Sequence, residues 1–183
     1  MHTAPDMPGR VAALIAVVLF APLAAFAQRF SLEQKHDSLS VLTLTTDSTV
    51  DRWRLPYPVY QFQTGDVDGD GIDEALVGVV KKTRFHREAA RRLFVFRNAR
   101  GYVRPLWLGS RLGGVLRDFR YAGDGCVLAT ELDRRGRPYQ ALYRWDKFGF
   151  AFLRYLNNPN NQANEKDTIT APAVCSHGGG RPD

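Results

Sequence analysis

The chain has 183 residues, a net charge of +6 and a pI near 9.6. That length suits one domain with a real core and argues against a multidomain assembly, while the charge predicts a basic surface. No RNA- or DNA-binding motif accompanies the basic residues, and neither a Gly-x-Ser-x-Gly nucleophile pattern nor a His-Glu-x-x-His zinc pattern occurs.

Residues 1–27 read as a secretory signal. Arg10 precedes an apolar run that begins at Val11, is interrupted by Pro22, and is short for a membrane span of about 20 residues. Ala25-Phe26-Ala27 fits the small-x-small cleavage rule, so cleavage is expected after Ala27, with a secreted or periplasmic product. Residues 28–57 are expected to hold one strand and a linker. Gln28–Ser38 is polar and reads as irregular or weakly helical. Val41–Thr45, rich in β-branched residues, is the first expected strand. Asp51–Pro58 contains Pro56 and Pro58 and reads as a loop or sheet edge, with Trp53 plugging the core.

Val59–Gln63 alternates apolar and polar residues and leads into Gly65-Asp66-Val67-Asp68-Gly69-Asp70-Gly71-Ile72-Asp73-Glu74. Five acids within nine residues repel one another unless a cation neutralises them. Ca²⁺ takes six to eight oxygen ligands, and alternating acids on a wrapped loop can converge on it. Asp66, Asp68 and Asp70 occupy positions 1, 3 and 5. Gly71 permits the sharp turn, Ile72 offers a backbone carbonyl at position 7, and Glu74 closes the shell at position 9. Asp73 is expected to point away. An EF-hand would need Glu at position 12, where this chain has Val77 inside the valine-rich run Ala75–Val80. That run is apolar on both faces and reads as an inner strand.

Beyond it, Thr83–Ala90 is a polar insertion with His86 and Glu88, expected to form a helical turn. Arg92–Arg97 alternates Leu93/Val95 with Phe94/Phe96, and Tyr102–Leu108 returns. Further strands are expected at Val115–Tyr121, Cys126–Leu132, Tyr139–Trp145 and Phe150–Leu156. Short strands at this spacing predict an all-β fold. Arg97-Asn98-Ala99-Arg100-Gly101-Tyr102 aligns with Trp145-Asp146-Lys147-Phe148-Gly149-Phe150, 48 residues apart from Gly101 to Gly149. That is a blade-sized period. A β domain of residues 58–156 then divides into two four-stranded units, 58–110 with the acidic loop and 115–156 without it. Gly123-Asp124-Gly125 stands at the loop's place in the second unit, without its other acids. Two units cannot close a propeller. A compact monomer of face-to-face sheets is expected, with a partly closed barrel as the alternative.

The loop of Asp66–Glu74 followed by Leu76-Val77-Gly78 resembles the calcium loop of FG-GAP and VCBS repeats, the blades of integrin-type β-propellers. Val80–Thr83 and Pro105–Ser110 also resemble uncharacterised secreted bacterial proteins of this class. No Phe-Gly pair precedes the loop, and Gly-Val-Val replaces Gly-Ala-Pro. The resemblance implies a structural Ca²⁺ and no particular activity.

The tail 157–183, rich in Asn, Pro and Gly, is expected to be disordered. Cys126 and Cys175 are the only cysteines. Joined in an oxidising compartment, they would add about 4 kcal/mol on the chain-entropy model; a free or intermolecular cysteine is the alternative. Twelve basic residues crowd the stretch from Lys81 to Arg120. They suggest either a solvated charged face or a docking face for an anionic surface, glycan or protein partner. The expected function is that of an exported, calcium-stabilised binding module without catalytic residues. The alternative is an enzyme acting on envelope polysaccharide or lipid through a pair drawn from Asp118, Asp124, Glu131, Asp133 and Asp146. Trp107, Tyr143, Trp145 and Phe148 are expected to serve packing and turns.

Overall fold

A computed structural model describes residues 28–84, 87–109 and 111–157. Among these residues there are eleven strands and no helix. They are β1 (Arg29–His36), β2 (Leu39–Thr45), β3 (Val50–Leu55), β4 (Val59–Gly65), β5 (Glu74–Lys81), β6 (Ala90–Ala99), β7 (Tyr102–Leu108), β8 (Val115–Gly123), β9 (Cys126–Leu132), β10 (Pro138–Asp146) and β11 (Gly149–Asn157). They form three antiparallel sheets with orders β1-β2-β3, β4-β5-β6-β7 and β11-β10-β9-β8. Each is a meander of sequence neighbours. The two four-stranded sheets match the two expected blade-like units, and no sheet closes into a barrel.

The central sheet β4–β7 lies between two cores. Ala75, Val77, Val79, Phe94 and Phe96 pack with Phe30, Leu42, Leu44 and Leu55 from the first sheet. Leu76, Leu93 and Val95, on the opposite face by the period-2 rule, pack with Leu116, Phe119, Val127 and Ala129 from the third. β5 is therefore buried on both faces, as its unbroken apolar run predicted. Its one interior glycine has a steric reason: a methyl group on Gly78 would sit 2.6 Å from the Tyr60 ring.

The first sheet is larger than the single strand expected. Arg29–His36 is β1, because Phe30 and Leu32 alternate toward the core and the Glu33–His36 end faces solvent. Val50–Leu55 is β3, an edge strand whose Trp53 does plug the core, packing on Phe96 at a 5.7 Å centroid distance. The expected helical turn at Thr83–Ala90 is absent from the described part of that stretch, which is bend and coil.

The internal repeat is real at the level of sheets but one residue out of step at its turn. Ala99 pairs with Tyr102, leaving Arg100 and Gly101 in the turn, both with positive φ. Asp146 pairs with Gly149, leaving Lys147 and Phe148 there. Arg100 thus corresponds to Lys147, whose φ is 53°, and Gly149 is a strand residue where a methyl group would lie 3.3 Å from the Trp107 indole nitrogen.

Cys126 is fully buried and disulfide-bonded. Cys175, the signal-like segment and the tail beyond Asn157 lie outside the described residues, as does His86.

The two cores supply a test of the layering. Leu44→Ala in the first and Leu76→Ala in the second, both fully buried, should each cost about 2–5 kcal/mol. Sharing no cluster, the two losses should add to within about 0.5 kcal/mol in chemical denaturation. A strongly non-additive double variant would mean that the central sheet does not separate two cores.

Candidate metal centre

The acidic loop joins β4 to β5, whose ends are paired through Gly65 and Glu74. Its path is set by its own residues. Gly69 and Gly71 have φ of +82° and +84°, the left-handed region that glycine enters without a Cβ penalty. Both oxygens of Asp66 accept backbone amides: Oδ1 from Gly69 at 2.7 Å and Oδ2 from Gly71 at 3.0 Å. The loop is therefore coiled around the Asp66 carboxylate, and Glu74 closes it from below. Glu74 is 1% exposed, and its Oε2 accepts the Val67 amide at 2.8 Å.

Three of the expected ligand residues converge. Carboxylate oxygens of Asp66, Asp68 and Glu74 lie within 4.8 Å of one another. Asp70 stands outside this triad. It is exposed, and its Oδ1 accepts the Ile72 amide at 2.8 Å, shaping the turn. Ile72 follows in the same turn and is 43% exposed. Asp73 is exposed, and its carbonyl accepts a hydrogen bond from Gln28 at 2.7 Å, so β1's approach is tied to the loop exit.

Electrostatics penalise the triad. Burial, and then the nearby Asp70 carboxylate, push the Asp68 carboxyl above the usual range. Burial pushes Glu74 up to about 7, with Asp68 and Asp70 adding to the rise. Asp68 Oδ1 is closed to solvent and has no hydrogen-bond partner among the described residues. A shielded, unpartnered carboxylate oxygen is costly, and a cation at the common centre would satisfy it. The donor set is all oxygen, which suits a hard cation such as Ca²⁺ and not a thiolate- or imidazole-seeking metal.

The second unit braces the first. Its β8–β9 turn, Gly123-Asp124-Gly125, has φ of 85°, 48° and 69°. It occupies in the third sheet the place the acidic loop has in the central one. Tyr121 donates its hydroxyl to the Asp66 carbonyl at 2.6 Å, and its ring covers Gly65, where a methyl group would lie 2.3 Å away. Gly125 sits against the loop so closely that a Cβ would be 2.8 Å from the Val67 carbonyl. Between loop and turn lies a cavity of about 550 Å³, lined by Asp66, Asp68, Tyr121, Asp124, Arg144 and Trp145. Sequence reasoning missed Tyr121 and Gly125 as supports, since neither carries a ligand signature. The matched loop positions of the two units were the available signal.

The other candidates are dispersed. Glu131 is fully buried, with Oε1 accepting the Gly114 amide at 2.7 Å and Oε2 the Tyr143 hydroxyl at 2.6 Å. Asp133 closes the β9–β10 turn and pairs with Arg137 at 2.8 Å. Asp118 and Asp146 are exposed. Trp107 and Trp145 pack edge-on against Phe150, Tyr143 is core, and Phe148 is 91% exposed at its turn. The basic residues of the central sheet are divided between its two ends. Register puts Arg97, Arg100 and Arg104 at the acidic-loop end of the central sheet, and Lys81, Arg91 and Arg92 at the opposite end.

No family model, curated protein or solved structure matches this chain.

The bracing predicts that Gly125→Ala, which combines positive φ with a backbone clash, destabilises the protein by about 1–3 kcal/mol in thermal or chemical melts. Asp124→Ala, an exposed change at a turn, should cost less than Gly125→Ala in the same assay. Equal melting temperatures for the wild type and Gly125→Ala would contradict the close approach of turn and loop.

Proposed function

We propose that this chain is an exported, calcium-stabilised β-repeat domain of the FG-GAP/VCBS type, acting as a binding module in the periplasm or at the cell surface. The observation that carries the reading is the convergence of the Asp66, Asp68 and Glu74 carboxylates directly ahead of a doubly buried strand. Ca²⁺ would be held by these three residues, with Asp70 and the Ile72 carbonyl available as the loop tightens. Its role is structural: it offsets the mutual repulsion of the acids and fixes the β4–β5 connection. The disulfide at Cys126 supports an oxidising, extracytoplasmic compartment, in keeping with the signal-like leader. Among the described residues, no helix is long and apolar enough to cross a membrane.

The alternative, an envelope-acting enzyme, draws on the 550 Å³ cavity, where Asp124 lies across from the acidic loop. An activity on envelope glycans that disappears in Asp124→Ala, while the fold persists, would favour it.

Calorimetry in EDTA and then in excess Ca²⁺ tests the preferred reading. Ligand binding only to the native state adds about 2.7 kcal/mol at a hundredfold excess over Kd, so the melting temperature should rise. Asp68→Asn should cross over. In EDTA it should be as stable as wild type or more so, because one repelling charge is gone; in Ca²⁺ it should be less stable, because a ligand is weakened. A melting temperature that ignores Ca²⁺, or an Asp68→Asn deficit that is the same in both buffers, would remove the metal from the account.

A further inference from the structure

We propose that the opposite end of the central sheet carries a binding site for a small oxyanion group, phosphate or carboxylate, held between Arg92 and Arg111. A cavity of about 340 Å³ lies there, lined by Arg87, Glu88, Ala90, Arg92, Arg111 and Val115. Its size falls in the range of small-ligand pockets, at the lower end. It is separate from the acidic loop: Ala90 pairs with Lys81 at the far end of β5, whereas Gly65 pairs with Glu74 at the near end.

The charge arrangement points to an anion. Arg92 is only 7% exposed, and it lines the cavity together with Arg111. Arg111 is close enough that its charge, after burial, depresses the Arg92 pKa. Two guanidiniums drawn together at a concavity repel each other, and an oxyanion between them reverses that repulsion. Guanidinium is also the group whose planar fork matches carboxylate and phosphate oxygens. Glu88 also lines the cavity and is exposed; the described ion pairs join Lys35 to Glu33 and Arg137 to Asp133, not Glu88 to Arg87 or Arg111.

The site is built rather than incidental. Arg111 Nε donates to the Gly114 carbonyl at 3.2 Å. The Gly113 amide donates to the Tyr143 hydroxyl at 2.9 Å, and the Gly114 amide to the buried Glu131 carboxylate at 2.7 Å. The segment that presents Arg111 is therefore anchored to the third sheet, while Arg92 comes from the central one. An anion bound here would bridge the two units. The proposal does not rest on the calcium reading, and either can fail alone.

The test is calorimetric titration of the full chain with methyl phosphate and, separately, with acetate, at constant ionic strength. Saturable one-to-one binding of either anion is expected, and the arm that binds tells phosphoryl from carboxylate ligands. Arg111→Lys, which keeps the charge but loses the fork, should weaken it about tenfold. Glu88→Gln should strengthen it by removing a repelling charge. Arg135→Ala, in the exposed β9–β10 turn, should leave it unchanged. Circular dichroism checks that each variant is folded. Absence of saturable binding in both arms, or undiminished binding in folded Arg111→Lys and Arg111→Ala, would overturn the proposal.

Discussion

The structure depends on β5 being covered on both faces. A strand with Ala75, Val77 and Val79 in one core and Leu76 in the other has no freedom to tilt or slip, because a one-residue slip would exchange the two faces. Its first residue, Glu74, is consequently held in the protein interior by its neighbours' packing. The carboxylate meets Asp66 and Asp68 there because the β4–β5 register leaves it no other place. Hydrophobic burial thus overrides electrostatic preference at this end of the strand, and the acidic loop must accommodate the result.

The layering also explains why the two four-stranded units differ. In the central sheet both faces are covered, so β5 from Ala75 to Val80 and β6 from Leu93 to Phe96 are apolar. In the third sheet only one face meets the central sheet. Its outer face carries the smaller cluster of Cys126, Leu128 and Leu142, and its edge strand β11 leaves Phe152, Leu153 and Tyr155 about half exposed. The corresponding β4–β5 and β8–β9 turns differ accordingly. The first gathers Asp66, Asp68 and Glu74 around a common centre. The second has the positive-φ backbone that lets it lie against the first, with Gly125 beside the Val67 carbonyl.

Much of this organisation could be read from residues alone, for physical reasons that differ by element. Strands β5 to β11 were recoverable to within a few residues because burial writes itself as an apolar run or a strict alternation. The first sheet was mostly hidden. Gln34, Lys35 and His36 extend β1 into solvent, where strand and loop have the same composition, and Pro56 and Pro58 lie just beyond β3 and suggested a loop. Gly101 and Gly149 aligned in sequence, yet only the first is a turn residue, because a glycine in a strand serves close packing against Trp107 instead. The acidic loop's spacing was plain, but the different employment of Asp70, bound to the Ile72 amide, is a matter of local geometry that spacing does not encode. The crowd of basic residues was visible; its division between two ends follows from the β5–β6–β7 register and needed the fold.

Two buried acids, Glu74 and Glu131, show how the same device serves different ends. Each clamps a connection by accepting a loop amide, Val67 at 2.8 Å in one case and Gly114 at 2.7 Å in the other. Around Glu131 the second oxygen is met by the Tyr143 hydroxyl, so neutral donors satisfy both sides of the carboxylate and nothing further is required. Around Glu74 the company includes Asp68 and Asp70, both raising its pKa, and the amides it receives come from its own loop. A buried acid surrounded by donors is a structural clamp. A buried acid surrounded by acids either takes up a proton or is relieved by a cation that joins them. That contrast within one small domain, more than the count of aspartates, is why a cation would fit at the β4–β5 loop and not beneath the β7–β8 connection.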